Sequence, residues 1–463
     1  MKLKKLYKSV YPTIFLIIFF FSVLSAQNTF ISISDIHFDP FISGVSIDTL
    51  VNSDYENWDK IFYDFGNTNY SGYNSDTDYA LFVSFLKELY AKSNRADFII
   101  FTGDFLAHDF LPTYQNSTGD YTSAGSNSFI KKTFGFITSK INQHFFNIPI
   151  YFALGNNDSF TGDYNSVWDG EFFHETADIL FEKFIKNNDG KKSFYSTYPI
   201  NGCYSIHFEN GINKRLISLN ANFLSQNCPP NEGVNGAKIL QWLEDELQKA
   251  KNNNESVWLI NHIPPGINVF NTMENVNPGS EIDTAEIFMT EDYNNELVSL
   301  IKNYSDVIAA CFAGHIHMDD FRLFKNSQNI NDTASVFVHI IPSVSPVFGN
   351  NPAFEIFTYN EETFSLLDYD SYNLNIASQT QLWQRQYEFN SVYNQNGINK
   401  MSLNTIFNNI LNDVSIRGNY IQFYNGSSVH SSIQNKWLGN WSGIMSFTLP
   451  DFVNMYNKYV DYK

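Results

Sequence analysis

The sequence predicts an α/β protein. Short β-rich apolar runs end in polar signatures five times along the chain, and stretches with helical apolar stripes separate them. With 463 residues, 43% hydrophobic and 17% charged, the chain has enough apolar surface for one large domain and a smaller appended one.

Residues 1–26 stand apart. Lys2, Lys4, Lys5 and Lys8 precede the apolar run 14–24, and Ser25-Ala26 offers small residues for cleavage. This is the pattern of a signal peptide, and the run is shorter than the roughly 20 residues a membrane span needs. The mature chain is therefore expected to be secreted, or periplasmic or lysosome-like according to the host, with no stable membrane span. Cleavage removes four lysines and no acids, taking the net charge from −19 to −23, with 25 Lys and Arg against 48 Asp and Glu. So acidic a surface repels polyanions and argues against a nucleic-acid duplex as partner. Of three cysteines, Cys203 and Cys228 flank a predicted hairpin and could pair, whereas Cys311 lies in an apolar run as a buried thiol.

The mature chain opens on residues 30–34, an alternating strand that ends in Asp35 and His37. Side chains at i and i+2 of an extended backbone share a face, so both can point into one pocket. Residues 48–78, rich in Tyr, Asn, Gly and Asp, read as a surface excursion. A helix capped by Asp76 or Thr77 follows, with Phe82, Phe85, Leu86 and Leu89 on its core face. Residues 97–101 form the second strand, leading into Thr102-Gly103-Asp104 and then His108-Asp109. The glycine lets the backbone turn so that the carboxylate after it can approach a cation. A Ser/Gly/Asn-rich loop is expected over 115–127, then a helix carrying Phe134, Ile137 and Ile141. The third strand, 148–154, ends in Gly155-Asn156-Asn157-Asp158.

A helical region over 168–186 and strands at 204–208 and 216–219 precede an amphipathic helix capped by Asn235, with Ile239, Leu240, Leu243 and Leu247 inward. The strand 256–260 runs into Asn261-His262-Ile263-Pro264-Pro265-Gly266, where the prolines stiffen the loop that carries the histidine. After a polar excursion over 271–290 and a helix at 296–304, the run 306–313 breaks at Gly314 and delivers His315 and His317 around Ile316. Strands at 336–341, 354–358 and 364–368 complete the main domain. From about residue 372 the chain turns Asn- and Tyr-rich, with a stripe of Met401, Ile406, Ile410 and Leu411 and a last helix opening at Pro450. The expected division is a signal peptide over 1–26, the main domain over 27–370 and a helical subdomain over 371–463.

Five strand ends thus present Asp35 and His37, Asp104, Asn156, His262, and His315 with His317. Each alone has an ordinary explanation as a cap, a turn residue or a loop histidine. Together, each directly behind an apolar run, they read as ligands of a metal centre.

In their order, Asp-x-His, Gly-Asp-x-x-x-His-Asp, Gly-Asn-x-Asp, Asn-His and Gly-His-x-His resemble the calcineurin-type binuclear metallophosphoesterases. Residues 261–266 and 313–321, with Pro342-Ser343-Val344-Ser345-Pro346 and Asn351-Pro352-Ala353-Phe354, further resemble the acid sphingomyelinase-like phosphodiesterases of that superfamily. The resemblance implies a four-layer αββα sandwich with a C-terminal helical subdomain. It also implies two divalent metal ions, zinc foremost: Asp35, His37 and His317 hold one, Asn156, His262 and His315 the other, and Asp104 bridges them. A metal-bridging hydroxide would attack a phosphodiester or phosphoanhydride in line, with His108 stabilising the phosphate and protonating the leaving group.

One position departs from the pattern. The family usually carries a histidine after the metal-binding asparagine, and this chain has Asn157, whose amide can bond a phosphate oxygen but cannot deliver a proton. The implied substrate is a small-molecule phosphate ester or phospholipid headgroup, such as sphingomyelin, another phosphocholine ester or a nucleotide. Gly-Asn-Asn-Asp also resembles endopolyphosphatases, which makes polyphosphate an alternative substrate. A non-catalytic metal-binding protein is a third reading, opposed by the fact that every ligand position is filled.

Overall fold

The computed structural model describes residues 28–461 apart from 94, 209–212, 328 and 430–435. The expected signal peptide lies outside the described residues.

Two six-stranded sheets form the centre. The first contains β1 (Asn28–Ile33), β2 (Phe98–Phe101), β3 (Ile150–Phe152), β10 (Ala353–Tyr359), β11 (Leu366–Leu374) and β12 (Trp383–Glu388), in the order β12-β11-β10-β1-β2-β3. The second contains β4 (Tyr204–His207), β5 (Lys214–Leu219), β6 (Ser256–Asn261), β7 (Ile308–Ala313), β8 (Asp320–Phe324) and β9 (Val336–Ile340), in the order β4-β5-β6-β7-β9-β8. Strands β1, β2 and β3 run parallel, as do β5, β6, β7 and β9. Parallel strands need crossover connections, which explains why helices alternate with these runs and why the runs are apolar on both faces.

The sheets pack face to face through aromatic rings. Phe30 stacks between Phe98 at 5.0 Å and Phe357 at 4.8 Å in its own sheet and meets Trp258 at 5.1 Å and Phe312 at 5.8 Å in the other. Helices cover the outer faces. Helix Tyr79–Ser93 sets Phe85 5.9 Å from Phe354 on the first sheet, and helix Gly236–Asn252 lies on β5 and β6 with Ile239, Leu240, Leu243 and Leu247 buried. The architecture is the four-layer helix–sheet–sheet–helix sandwich.

Several local expectations are corrected. The supposed excursion 48–78 contains helices Ile47–Val51 and Trp58–Phe65, held down by buried Trp58 and Phe62. The supposed loop 115–127 is occupied by the end of helix Phe110–Thr118 and the start of helix Ser123–His144, whose first turn is capped by Thr122. In the first stretch the burial of Leu50, Trp58 and Phe62 overrides weak helix propensity, and in the second the helix ends are carried by Phe110, Tyr114, Phe129 and Ile130, buried just outside it. Helix Tyr79–Ser93 is capped by neither Asp76 nor Thr77: Asp78 accepts from the Leu81 N–H at 2.8 Å. The boundary expected at 370/371 falls inside β11, and β12 continues the first sheet to Glu388 before helices take over at Phe389. Cys203, Cys228 and Cys311 are all buried free thiols, so the 203–228 pair is not formed. Among the described residues no helix is long and apolar enough to cross a membrane.

Candidate metal centre

The carboxyl ends of β1, β2, β3, β6 and β7 converge, which is where open parallel sheets place their ligands. Beyond these ends the backbone turns sharply. Asp35, His37, Asp104, His315 and His317 all have positive φ, between 44° and 73°. Such conformations cost non-glycine residues on the order of 1–3 kcal/mol each and persist where the surroundings fix them. Here neighbouring loops lock one another: the Asp35 N–H donates to Gly103 O and the His37 N–H to Asp104 O, both at 3.0 Å. Two glycines permit the close approach. A Cβ on Gly155 would sit 1.9 Å from Asp104 Oδ1, and one on Gly314 would sit 2.7 Å from Asp35 Oδ2.

All seven sequence-predicted ligands come together. Asp104 Oδ2 lies 3.3 Å from His37 Nε2 and 3.1 Å from His262 Nε2, between two sets of donors. On one side, His317 Nε2 is 3.2 Å from His37 Nε2 and 3.3 Å from Asp35 Oδ1. On the other, His262 Nε2 is 3.0 Å from Asn156 Oδ1, and its ring centroid is 5.1 Å from that of His315.

The donor set fits divalent cations. His37 Nδ1 bonds the Leu106 carbonyl at 2.9 Å and His262 Nδ1 the Thr102 carbonyl at 2.8 Å. A carbonyl only accepts, so these nitrogens carry protons, and each ring turns its Nε2 to the Asp104 carboxylate, where a bound cation would take the place of the Nε2 proton. Asn156 donates its amide to Asp163 Oδ1 at 2.5 Å, which turns its own Oδ1 toward His262. Burial holds His315 and His317 down at about 3, so both are neutral imidazoles. Burial would also lower His37 and His262, but the negative charges of Asp104 and Asp35 overcome it and push them up to about 10 and about 9. A pocket that draws protons onto buried imidazoles this strongly is one that divalent cations would neutralise.

His108 sits beside this centre. Its ring stacks on His37 with centroids 4.0 Å apart and planes 16° apart. Its backbone N–H donates to Asp76 Oδ2 at 2.9 Å, and its Nδ1 lies 3.1 Å from both Asp76 oxygens. Ser345 Oγ donates to Asp76 Oδ1 at 2.9 Å. Burial would raise the Asp76 carboxyl, but the His108 bond and the charges of His37 and His108 hold it down at about 2. Asp76 and Ser345 were not singled out in the sequence as site residues.

Asn157 reaches the Asp104 carboxylate. It is buried, its backbone N–H donates to Asp104 Oδ1 at 2.9 Å, and its amide donates to Asp104 Oδ2 at 3.0 Å. Both donors of Asn157 thus hold the Asp104 carboxylate. Asp158 fixes the same loops, accepting from the Asp104, Phe105, Leu106 and Gly155 N–H groups at 2.8–3.3 Å.

A cavity of about 350 Å³ opens over the centre, with Asp104, His108, Asn156, His315 and His317 at its floor. Phe270 and Phe348, 58% and 41% exposed, stand at its side with centroids 5.6 Å apart. Asn227, Asn268, Asn271 and Asn440 also line it, and Lys436 joins from the C-terminal part.

The family described as calcineurin-like phosphoesterase matches residues 29–319. Sphingomyelinase phosphodiesterase C of Dictyostelium discoideum is 28% identical over 354 residues, 73% of this chain and 72% of its own length. The human cyclic GMP-AMP phosphodiesterase SMPDL3A is 28% identical over 339 residues, 71% of this chain and 68% of its own. Sphingomyelinase phosphodiesterase D of Dictyostelium discoideum is 28% identical over 443 residues, 89% of this chain and 91% of its own. With the family match covering more than half of the sequence and every strand-end signature of the metal centre up to His317, this chain belongs to the calcineurin-like phosphoesterases and is a metallophosphoesterase.

Proposed function

We propose that the chain is a secreted phosphodiesterase with a two-zinc centre, acting on soluble nucleotide-type phosphodiesters or phosphoanhydrides. The placement of Asp104 Oδ2 between two donor sets, 3.3 Å from His37 and 3.1 Å from His262, carries the reading. Asp35, His37, His317 and Asp104 would hold one divalent cation, and Asn156, His262, His315 and Asp104 the other. When bound, such a pair supplies Lewis-acid charge that activates water and offsets the charge of the reacting phosphoryl group. Imidazole and carboxylate donors suit zinc, and the basic-then-apolar stretch 1–26 supports secretion.

The chain's own residues supply the rest. Asp76 fixes His108 through its Nδ1, leaving Nε2 as the nitrogen that donates a proton to the leaving oxygen. Asn157 and Asp158 keep the Asp104 carboxylate and its loop from rotating away from the two donor sets.

The cavity wall favours nucleotides over the other candidate substrates. Exposed phenyl rings give a nucleobase a stacking surface, and side-chain amides can pair with its edge. A polyphosphate chain would want a row of cations, yet among the described residues the lysine and arginine lining this cavity are Lys436 and Arg322, and Arg322 is already paired with Asp320. Hydrolysis of a nucleoside triphosphate, a cyclic dinucleotide, sphingomyelin in micelles and polyphosphate under one set of conditions tests the assignment. The nucleotides should have the highest kcat/KM; a clear preference for sphingomyelin or polyphosphate overturns the substrate class.

A further inference from the structure

The two sheets enclose a second cluster of ligand-type side chains. His339 comes from β9, Glu355 from β10 and Asp319 from the position just before β8, and their ligand atoms lie within 4.8 Å of one another. Glu355 is completely buried and His339 is 2% exposed. Glu355 Oε2 accepts from Ser32 Oγ at 2.8 Å and lies 2.8 Å from His339 Nε2. Its other oxygen, Oε1, is buried with no hydrogen-bond partner. Asp319 Oδ2 accepts from the Tyr387 hydroxyl at 2.5 Å, and Oδ1 from Tyr369 at 3.4 Å. The buried Arg322 guanidinium is paired with Asp320.

Two carboxylates therefore share this interior with a single imidazole. A buried carboxylate oxygen without a partner is destabilising, and unbalanced buried charge is more so. A divalent cation among the three side chains would take Glu355 Oε1 as a ligand and balance both acids while His339 stays neutral. One imidazole and two carboxylates suit zinc or manganese, and the partly exposed Asp319 side gives an ion its way in.

We propose that Asp319, His339 and Glu355 form a third divalent-cation site, separate from the Asp104 centre, that ties β9 and β8 of one sheet to β10 of the other. Its role is structural: an ion bound only in the folded state stabilises that state by mass action.

The test is a metal count on the full-length protein saturated with Zn²⁺ or Mn²⁺ and desalted. Glu355→Gln should carry one equivalent less than the wild type, and Asp104→Asn/Glu355→Gln one less than Asp104→Asn. An unchanged count in folded Glu355→Gln means that hydrogen bonds and a shared proton hold the cluster, and overturns the proposal. If the Glu355→Gln variant does not fold, refilling the chelator-stripped wild type with Co²⁺ decides the matter. Binding should continue to a third equivalent beyond the dimetal pair, and saturation at two overturns the site. Neither readout depends on hydrolysis, so the count can fail while the phosphodiesterase reading stands.

Discussion

Asp76 grips His108 at two points, the backbone N–H at 2.9 Å and the ring Nδ1 at 3.1 Å, across 32 residues of sequence. The carboxylate fixes the ring's tautomer and its angle over His37, so the acid role assigned to His108 depends on Asp76. Asp76→Asn should lower kcat by about 10²-fold on substrates with poor leaving groups and change KM little. His108→Ala should lower it by about 10²–10⁴-fold on the same substrates. Activated aryl esters need little protonation and should lose far less. Equal losses on alkyl and aryl esters would remove the acid role.

Asn157 holds both oxygens of Asp104. Groups that orient a metal ligand typically contribute 10–100-fold to metal affinity. Asn157→Ala deletes the amide contact and keeps the backbone one, so it should weaken zinc binding by about 10-fold. Competition with a coloured chelator measures this, and an unchanged affinity would show that the amide is idle.

Gly155 has no room for a side chain, since a Cβ there would reach within 1.9 Å of Asp104 Oδ1. Gly155→Ala should displace the shared carboxylate and lower bound metal and activity together. Far-ultraviolet circular dichroism should remain native if the damage is local.

Phe270 and Phe348 should discriminate between substrates. A base stacked on an aromatic side chain contributes about 1–3 kcal/mol, so Phe348→Ala should cut kcat/KM for nucleotides by roughly 5–150-fold. A small alkyl phosphodiester, which has nothing to stack, should be hydrolysed much as before.

The cysteines give a pH prediction. Burial pushes the Cys203 thiol up to about 12 and Cys228 to about 11, and raises Cys311 as well. None should react with iodoacetamide at pH 8 in the native state, and all three should react after denaturation. The folded state holds these protons more tightly than the unfolded one. Their contribution is therefore intact below the ordinary thiol pKa of about 8.5 and is lost as pH rises through 11–12. Urea midpoints measured between pH 8 and 11 should fall.

The ligands were legible because each follows an apolar run and a turn, a local pattern that needs no knowledge of distant partners. Asp35, Asp104 and His315 fall into place once the strands are recognised. Asp76 is illegible for the opposite reason: its partner His108 lies far along the chain, and a helix start three residues on offers a sufficient local explanation as a cap. Asn157 was recognised, but the sequence could not tell whether its amide turns to the substrate or to Asp104. The sequence predicts helix over strand β12 and the end of β11 because their polar, Tyr-rich residues lack the apolar alternation of a half-buried strand. Trp58 and Phe62 lie in a stretch whose Asn and Gly content concealed two short helices.

The proposed function needs Asp104 to be shared by two metal sites that carry the hydrolysis. Its most direct measurement is phosphodiesterase activity before chelation, after chelation, and after readdition of Zn²⁺, for the wild type and Asp104→Asn. Activity should vanish on chelation and return with Zn²⁺ in the wild type alone. Activity that survives chelation, or an Asp104→Asn enzyme that recovers with the wild type, would contradict it.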